Sequence, residues 1–313
     1  MSNHSPLKRR AFCSGLAAAT VLTPTGPRGA LAETSPQRKR ETGFLEVPGA
    51  RLYYETHGSG PVMLMVPGAT GTGDSFKMVA GHLAAHYTVA LYDRRGYSRS
   101  SLAGPQNYDQ RLKTEADDVR RLIEHVRGGP ATVFGTSSGG IIALEVLARH
   151  PSVVHTLVSF EPAAVKQLPD GQKWIDFFSG IYDLYRKSGL DAALTEFRAR
   201  AFAESDRRMM ARAPKTEYTL ANATYWFEHE LRQYPAVDLD LAALKAHADR
   251  IVLANGRESR GYPAYEVNVE LGKKLGQQVV ELPGGHIGFL TQPAEFARDL
   301  LHVLGRRRHS LKR

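Results

Sequence analysis

The spacing of apolar residues changes period along this chain in a regular rhythm. Residues 44–47 and 51–56 alternate apolar with polar positions and are joined by Pro48-Gly49-Ala50, which predicts a hairpin. Residues 61–66 form a continuous apolar run, as a strand covered on both faces should. The glycine-rich loop from Pro67 to Gly73 follows, and residues 74–85 take helical spacing. The same succession recurs with strand 87–92 and helix 114–126, whose Val119, Leu122, Ile123 and Val126 share one face. It recurs again with strand 131–134, an apolar helix through 141–147 and strand 153–160. Between 162 and 248 the strand pattern disappears. Helical segments 173–187, 190–203 and 218–233 take over, rich in Trp, Tyr and Phe. The rhythm resumes with strand 250–254, helix 264–275, strand 278–282 and helix 294–304. Strands alternating with helices predict an α/β fold with a parallel sheet, and the all-helical block reads as an insertion above it.

The two ends have another character. Residues 1–32 contain Lys8-Arg9-Arg10-Ala11-Phe12, an Ala-rich run as far as Leu22, and the small-x-small triplet Ala30-Leu31-Ala32. They look like a twin-arginine export signal, which predicts a periplasmic or extracellular destination; a leader that did not function would leave the chain in the cytoplasm. The apolar run is too short to span a membrane, so no stable membrane insertion is expected. Residues 33–43 read as a linker and 306–313 as a basic tail.

Of 313 residues, 42% are hydrophobic and 23% charged, as in an ordinary globular protein. The formal charge of +9 first suggests nucleic acid. However, Lys8, Arg9, Arg10 and Arg28 lie in the leader, and Arg306, Arg307, Arg308, Lys312 and Arg313 lie in the tail. The remainder is neutral, which argues against a nucleic-acid reader. Cys13 is the single cysteine, so the body has no disulfide, no cysteine nucleophile and no thiolate metal site. No His or carboxylate grouping has metal-ligand spacing, and no G-x-G-x-x-G follows a strand; neither metal nor nucleotide cofactor is expected. The expected partner is a small molecule.

Chemistry enters at Gly135-Thr136-Ser137-Ser138-Gly139, a G-x-S-x-G between strand and helix. The turn must be tight for the Ser137 hydroxyl to stand clear, and glycines on either side remove side chains that would collide. A serine hydroxyl is a poor nucleophile unless a base takes its proton, and the base must be oriented by a carboxylate. His286 is the candidate base, in Pro283-Gly284-Gly285-His286-Ile287-Gly288 after the strand 278–282. His302, His229 and His247 sit in helical segments. Glu258 is the preferred acid, in Asn255-Gly256-Arg257-Glu258-Ser259 one strand earlier, with Glu161 and Asp249 as alternatives; Glu161 would be an acid displaced to the strand next to the nucleophile. The oxyanion hole needs two N–H donors, expected from Ser138 and Ala69, each contributing about 3 kcal/mol to lowering the barrier. Asp93 and Arg95 read as braces for neighbouring loops.

Together these residues resemble the α/β-hydrolase superfamily over residues 44–304. The features that carry the resemblance are the elbow at Ser137, the D-x-R-G-x-x-x-S turn from Asp93 to Ser100, the acid loop at Glu258 and the Gly-Gly-His loop at His286. The resemblance implies an α/β-hydrolase fold: an eight-stranded, mostly parallel sheet flanked by helices. Residues 44–161 and 249–305 would form the core and 162–248 a helical cap. The chain departs from the family in three places, with Pro67 where His is usual, glutamate at the acid position, and Ser98 where glycine is frequent. A serine nucleophile argues against dehalogenase or epoxide hydrolase chemistry and favours hydrolysis of a carboxylic ester or related acyl bond. Cofactor-free haloperoxidase or perhydrolase activity and carbon–carbon bond hydrolysis use the same triad, and a ligand-binding homologue without turnover is a further alternative. Trp174, Phe177, Phe178, Tyr182, Tyr225, Trp226 and Phe227 suggest either an apolar pocket or the cap's own core.

Overall fold

The computed structural model describes residues 40–127 and 129–310. Its strands are β1 (Arg40–Val47), β2 (Ala50–His57), β3 (Val62–Val66), β4 (Thr88–Tyr92), β5 (Ser101–Leu102), β6 (Ala131–Thr136), β7 (Val154–Phe160), β8 (Ile251–Gly256) and β9 (Val279–Leu282). The helices are α1 (Lys77–Leu83), α2 (Arg111–Arg127), α3 (Ser138–Arg149), α4 (Gly171–Ser188), α5 (Leu190–Ala201), α6 (Glu204–Arg212), α7 (Thr219–His229), α8 (Leu241–Ala246), α9 (Pro263–Leu275), α10 (Gly288–Thr291) and α11 (Pro293–Ser310).

Eight strands form one continuous sheet in the order β1-β2-β4-β3-β6-β7-β8-β9, and the two-residue β5 adds to β2. The hairpin β1–β2 and the pair β2–β4 are antiparallel; every neighbour from β4 to β9 is parallel. Strands β3, β4, β6 and β8 are buried at every position, because helices cover both faces. Alternate residues feed two separate apolar layers. Val62, Leu64 and Val66 of β3 pack with α2, α3 and α9, whereas Met63 and Met65 pack with α1 and α11. Each fully buried Leu, Val or Phe contributes about 1.5–3 kcal/mol.

Helices α4 to α8 lie between β7 and β8, as the loss of strand pattern predicts. Their apolar residues Phe178, Ile181, Phe197, Trp226 and Phe227 join the layer that contains α3, so this helical cap shares its core with the sheet. No described helix is long and apolar enough to cross a membrane.

Two boundaries differ from expectation. Residues 40–43, read as linker, are strand, with Arg40 opposite His57 and Gly43 opposite Tyr54. Both faces of this edge segment are wet, so backbone pairing holds it and no apolar alternation marks it. At the other end, α11 continues through residues 306–310 of the expected tail. The leader expected over 1–32 lies outside the described residues, as do the linker before Arg40 and residues 311–313.

Candidate active site

Strand β6 delivers Ser137 and α3 starts at the next residue. Ser137 has φ 54° and ψ −124°, a backbone state that costs a side-chain-bearing residue about 1–3 kcal/mol. The neighbours over-determine it. Its N–H donates to Phe160 O at 3.1 Å, and its carbonyl accepts from Gly140 N at 2.9 Å and Ile141 N at 3.3 Å. A Cβ on Gly135 would lie 2.2 Å from Gly139 O, and one on Gly139 would lie 2.2 Å from Val66 O and 2.7 Å from Pro67 O. Only glycines let β6, α3 and the loop after β3 approach so closely.

That loop also reaches the serine. A Cβ on Gly68 would stand 2.9 Å from Ser137 Cβ. The Gly68 carbonyl accepts from Gly71 N at 2.9 Å and from Arg94 Nη1 at 3.0 Å. In a planar trans peptide the N–H points opposite to the C=O. With the carbonyl turned to Arg94, the Ala69 N–H faces the other way, and Ala69 lines the cavity that contains Ser137 and Ser138.

Arg94 is buried, and sequence reasoning singled out only its neighbours Asp93 and Arg95. Its guanidinium bonds Glu115 Oε2 at 2.5 Å and Glu230 Oε2 at 2.6 Å. Tyr97 and Tyr234 donate to Glu230 and Glu115 at 2.8 and 2.7 Å, and Arg111 pairs with Glu115 at 2.7 Å. Burial pushes the Glu115 carboxyl up, but Arg111 and Arg94 outweigh it and hold the group below its usual range. Two arginines facing two glutamates leave the cluster neutral. Because Glu230 follows α7, the cluster ties the cap to the loop after β3.

Asp93 and Arg95 do brace loops. Asp93 accepts from Thr72 Oγ1, Gly73 N and Arg99, and Arg95 pairs with Asp118 at 2.7 Å. Burial raises the Asp118 carboxyl to about 6 despite Arg95. Ser98 has φ 46°, a state glycine adopts without strain; Asn222 of the cap holds it, accepting from Ser98 N at 2.9 Å and donating to Ser98 Oγ at 2.8 Å.

His286 follows β9 and is only 6% exposed. Its Nδ1 lies 2.7 Å from Glu161 Oε2, not against Glu258. The expected pairing of His286 with Glu258 is therefore corrected to Glu161. Glu161 directly follows β7, with φ 44°, and is buried. Its N–H donates to Ala254 O at 3.1 Å and its Oε1 accepts from Gly256 N at 2.7 Å, which turns Oε2 to the histidine. Glu258 lies two residues beyond β8 in an exposed turn. Its carboxylate accepts from Ser205 Oγ at 2.5 Å and from Gln292 Nε2 at 3.1 Å.

Ser137, Ser138, Ala69 and His286 share a narrow cavity of about 50 Å³ beneath the cap. Phe178, Phe197, Phe202, Trp226 and Val165 give it an apolar lining, and Glu230 reaches it from the charge cluster. Of the seven aromatic residues noted in the cap sequence, Phe178 and Trp226 line the cavity. Phe227 packs on Tyr185 in the cap's interior, and Tyr225 packs on Tyr97. His229 stacks on Tyr108 at 3.9 Å, away from Ser137's cavity. A larger depression of about 330 Å³ beside Gln106 and Tyr108 contains Arg95 and Arg111, which Asp118 and Glu115 engage. Among the described residues no group of three or more His, Cys, Asp or Glu side chains is arranged to hold a metal ion.

Comparison with known proteins identifies the fold and the family. Residues 61–293 match the family model described as the alpha/beta hydrolase fold. The chain is 37% identical over 266 residues to an uncharacterized hydrolase, YraK, of Bacillus subtilis, covering 84% of this chain and 95% of that one. A thermophilic esterase from Thermogutta terrifontis superposes with a TM-score of 0.65 at 19% identity, over 87% of this chain and 99% of the esterase. The enol-lactonase from Burkholderia xenovorans superposes with a TM-score of 0.63 at 19% identity, over 84% of this chain and all of the lactonase.

Proposed function

The chain belongs to the α/β-hydrolase family and is a hydrolase of that type, and we propose that it cleaves carboxylic esters of small organic substrates through Ser137, His286 and Glu161. The observation that carries this reading is the strained Ser137 elbow sharing one cavity with a histidine whose Nδ1 is held at 2.7 Å by a buried carboxylate. A carboxylate can only accept this hydrogen bond, so the proton sits on Nδ1 and leaves Nε2 as the base. Nε2 takes the Ser137 proton as Oγ attacks the ester carbonyl. The carbonyl oxygen gathers charge between the N–H groups of Ser138 and Ala69, at the positive end of α3. Nε2 then hands its proton to the departing alcohol; in the second half it takes a proton from water as the water oxygen attacks the acyl carbon, and returns that proton to Ser137 Oγ as the carboxylic acid leaves. Glu161 stabilises the imidazolium in both halves.

The cavity limits the acyl group. About 50 Å³ accommodates about three to five water-sized groups, and its aromatic walls favour a neutral aliphatic chain. A fluorophosphonate probe and acetyl and butyryl aryl esters test the reading. Ser137 should label stoichiometrically and both esters should turn over, while Ser137→Ala should lose labelling and at least 10³-fold of the rate. Labelling that persists in Ser137→Ala would remove the nucleophile from this site.

A further inference from the structure

The loop that bears His286 is built on glycine. Glycines at 284, 285 and 288 surround the histidine, and Gly284 has φ 80°. Glu161 holds only the ring. Backbone bonds from Glu258 N to Gly284 O and from Gly288 N to Gly285 O, both at 3.0 Å, hold the loop on either side of the histidine, and the N–H groups of His286 and Ile287 themselves are held by Asp206, a residue of α6 that no core strand or loop contributes. Its Oδ2 accepts from His286 N at 2.8 Å and its Oδ1 from Ile287 N at 3.2 Å. Successive N–H groups that point the same way form an anion-binding concavity, and the carboxylate fills it with one oxygen on each donor. Asp206 is fully buried.

The fit requires glycine at 285, where a Cβ would stand 2.3 Å from Asp206 Oδ2. Burial raises the Asp206 carboxyl above its usual range, opposed by the neighbouring imidazole and by these two N–H bonds. From the same stretch of cap, Phe202 packs on the imidazole with ring centroids 4.9 Å apart. One face of the ring and the backbone behind it are therefore both set by the junction between α5 and α6.

We infer that Asp206 is a positioning residue of the reaction: the cap supplies the carboxylate that fixes the base loop, so the His286–Glu161 pair is correctly aimed only while α6 is docked. The inference rests on the proposed roles of Ser137 and His286. It differs from a general need for a docked cap, because Ser205, the adjacent residue, makes its contact to Glu258 on the exposed side of the same joint.

The test compares Asp206→Asn, Asp206→Ala and Ser205→Ala with the full chain, using butyryl aryl ester hydrolysis. A misplacement of about 1 Å costs about 10²-fold in rate. Asp206→Ala should accordingly lower kcat by about 10²-fold with KM changed less than about threefold, and Asp206→Asn, which keeps one acceptor oxygen, should fall between. The far-downfield proton resonance of the His286–Glu161 hydrogen bond should broaden or vanish in Asp206→Ala and persist in Ser205→Ala, which should also keep its kcat. Gly285→Ala, which leaves the carboxylate in place but drives a Cβ into it, should lower kcat without a matching rise in KM. A folded Asp206→Asn or Asp206→Ala with wild-type kcat and an unchanged resonance overturns the inference. Ser137→Ala, run alongside, separates the two claims: its inactivity with fully active Asp206 variants would defeat only the positioning role, whereas its retained activity would defeat the functional reading itself.

Discussion

The ends of β7 and β8 lie side by side in the sheet, and each is followed by a glutamate within two residues. Glu161 enters at φ 44°, is buried, and has both carboxylate oxygens committed, one to Gly256 N and one to His286 Nδ1. Glu258 sits in an exposed turn and joins Ser205 of the cap to Gln292. The residue type and the distance from the strand are nearly the same. What separates them is direction. The chain at Glu161 is strained so that its side chain turns inward, and the turn at 257–259 carries the Glu258 side chain outward. One carboxylate holds the His286 ring and the other becomes a clasp on the joint between cap and core.

The strongest way to break this comparison is to remove the charge of Glu161 while keeping its shape. Glu161→Gln retains an acceptor for Gly256 N but presents an amide to His286, which destabilises the tautomer and the imidazolium the reaction needs. We expect kcat to fall by about 10³–10⁴-fold, with the unfolding midpoint little changed, as steady-state kinetics and thermal melts would show. A loss below about tenfold would mean that the histidine does not depend on this carboxylate.

This difference in direction was not legible in the sequence, although much else was. The strands of the sheet centre stand out because burial on both faces demands continuous apolar runs. Ser137 and His286 stand out because tight turns need the glycines around them. Glu161 does not, since a glutamate after a strand carries no sign of the φ at which it will sit. Glu161's role depends on Gly256 and on register with Ala254, which are tertiary facts. Asp206 was hidden for a related reason. Helix α6 reads Glu-Ser-Asp-Arg-Arg-Met-Met-Ala-Arg, with too little apolar surface to announce a helix, and its buried carboxylate is explained only by backbone donors 80 residues away. Arg94 looked like part of a charged turn, yet it is the cation that turns the Gly68 carbonyl away from the serine.

A smaller effect should follow from changing Gly256, where the two strand ends meet. Its N–H serves Glu161, and a Cβ there would lie 2.3 Å from Gly285 O and 2.7 Å from Gly284 O. Both obstacles are backbone atoms that cannot swing aside. Gly256→Ala should therefore destabilise the fold by about 1–3 kcal/mol and push the histidine loop outward. At about 2–4 °C per kcal/mol for a chain of this size, a thermal melt would register the change. Partial retention of activity, with kcat reduced more than KM is raised, would show that the loop moved without closing the cavity. An unchanged melting point would mean that the strand ends can spread, and that the inward turn of Glu161 is less tightly imposed than its contacts imply.

The smallest effect is expected at Glu258. Replacing it by Ala removes two exposed hydrogen bonds, to Ser205 and Gln292, but leaves the Glu258 N–H bond to Gly284 O, which belongs to the backbone. The turn should keep its shape, and the cap should stay docked through Asp206 and the Arg94–Glu230 pair. Exposed contacts of this kind are worth about 1 kcal/mol or less, so the melting point should move by no more than a few degrees. The rate on a short-chain aryl ester should stay within about threefold of wild type, because the side chain's hydrogen bonds go to Ser205 and Gln292 and the ring's Nδ1 bond goes to Glu161. If instead Glu258→Ala lost about 100-fold in kcat while Glu161→Gln remained active, Glu258 would regain the acid's role and the strand end at β7 would be the structural one. The two substitutions measured side by side thus decide which of the neighbouring glutamates the histidine uses.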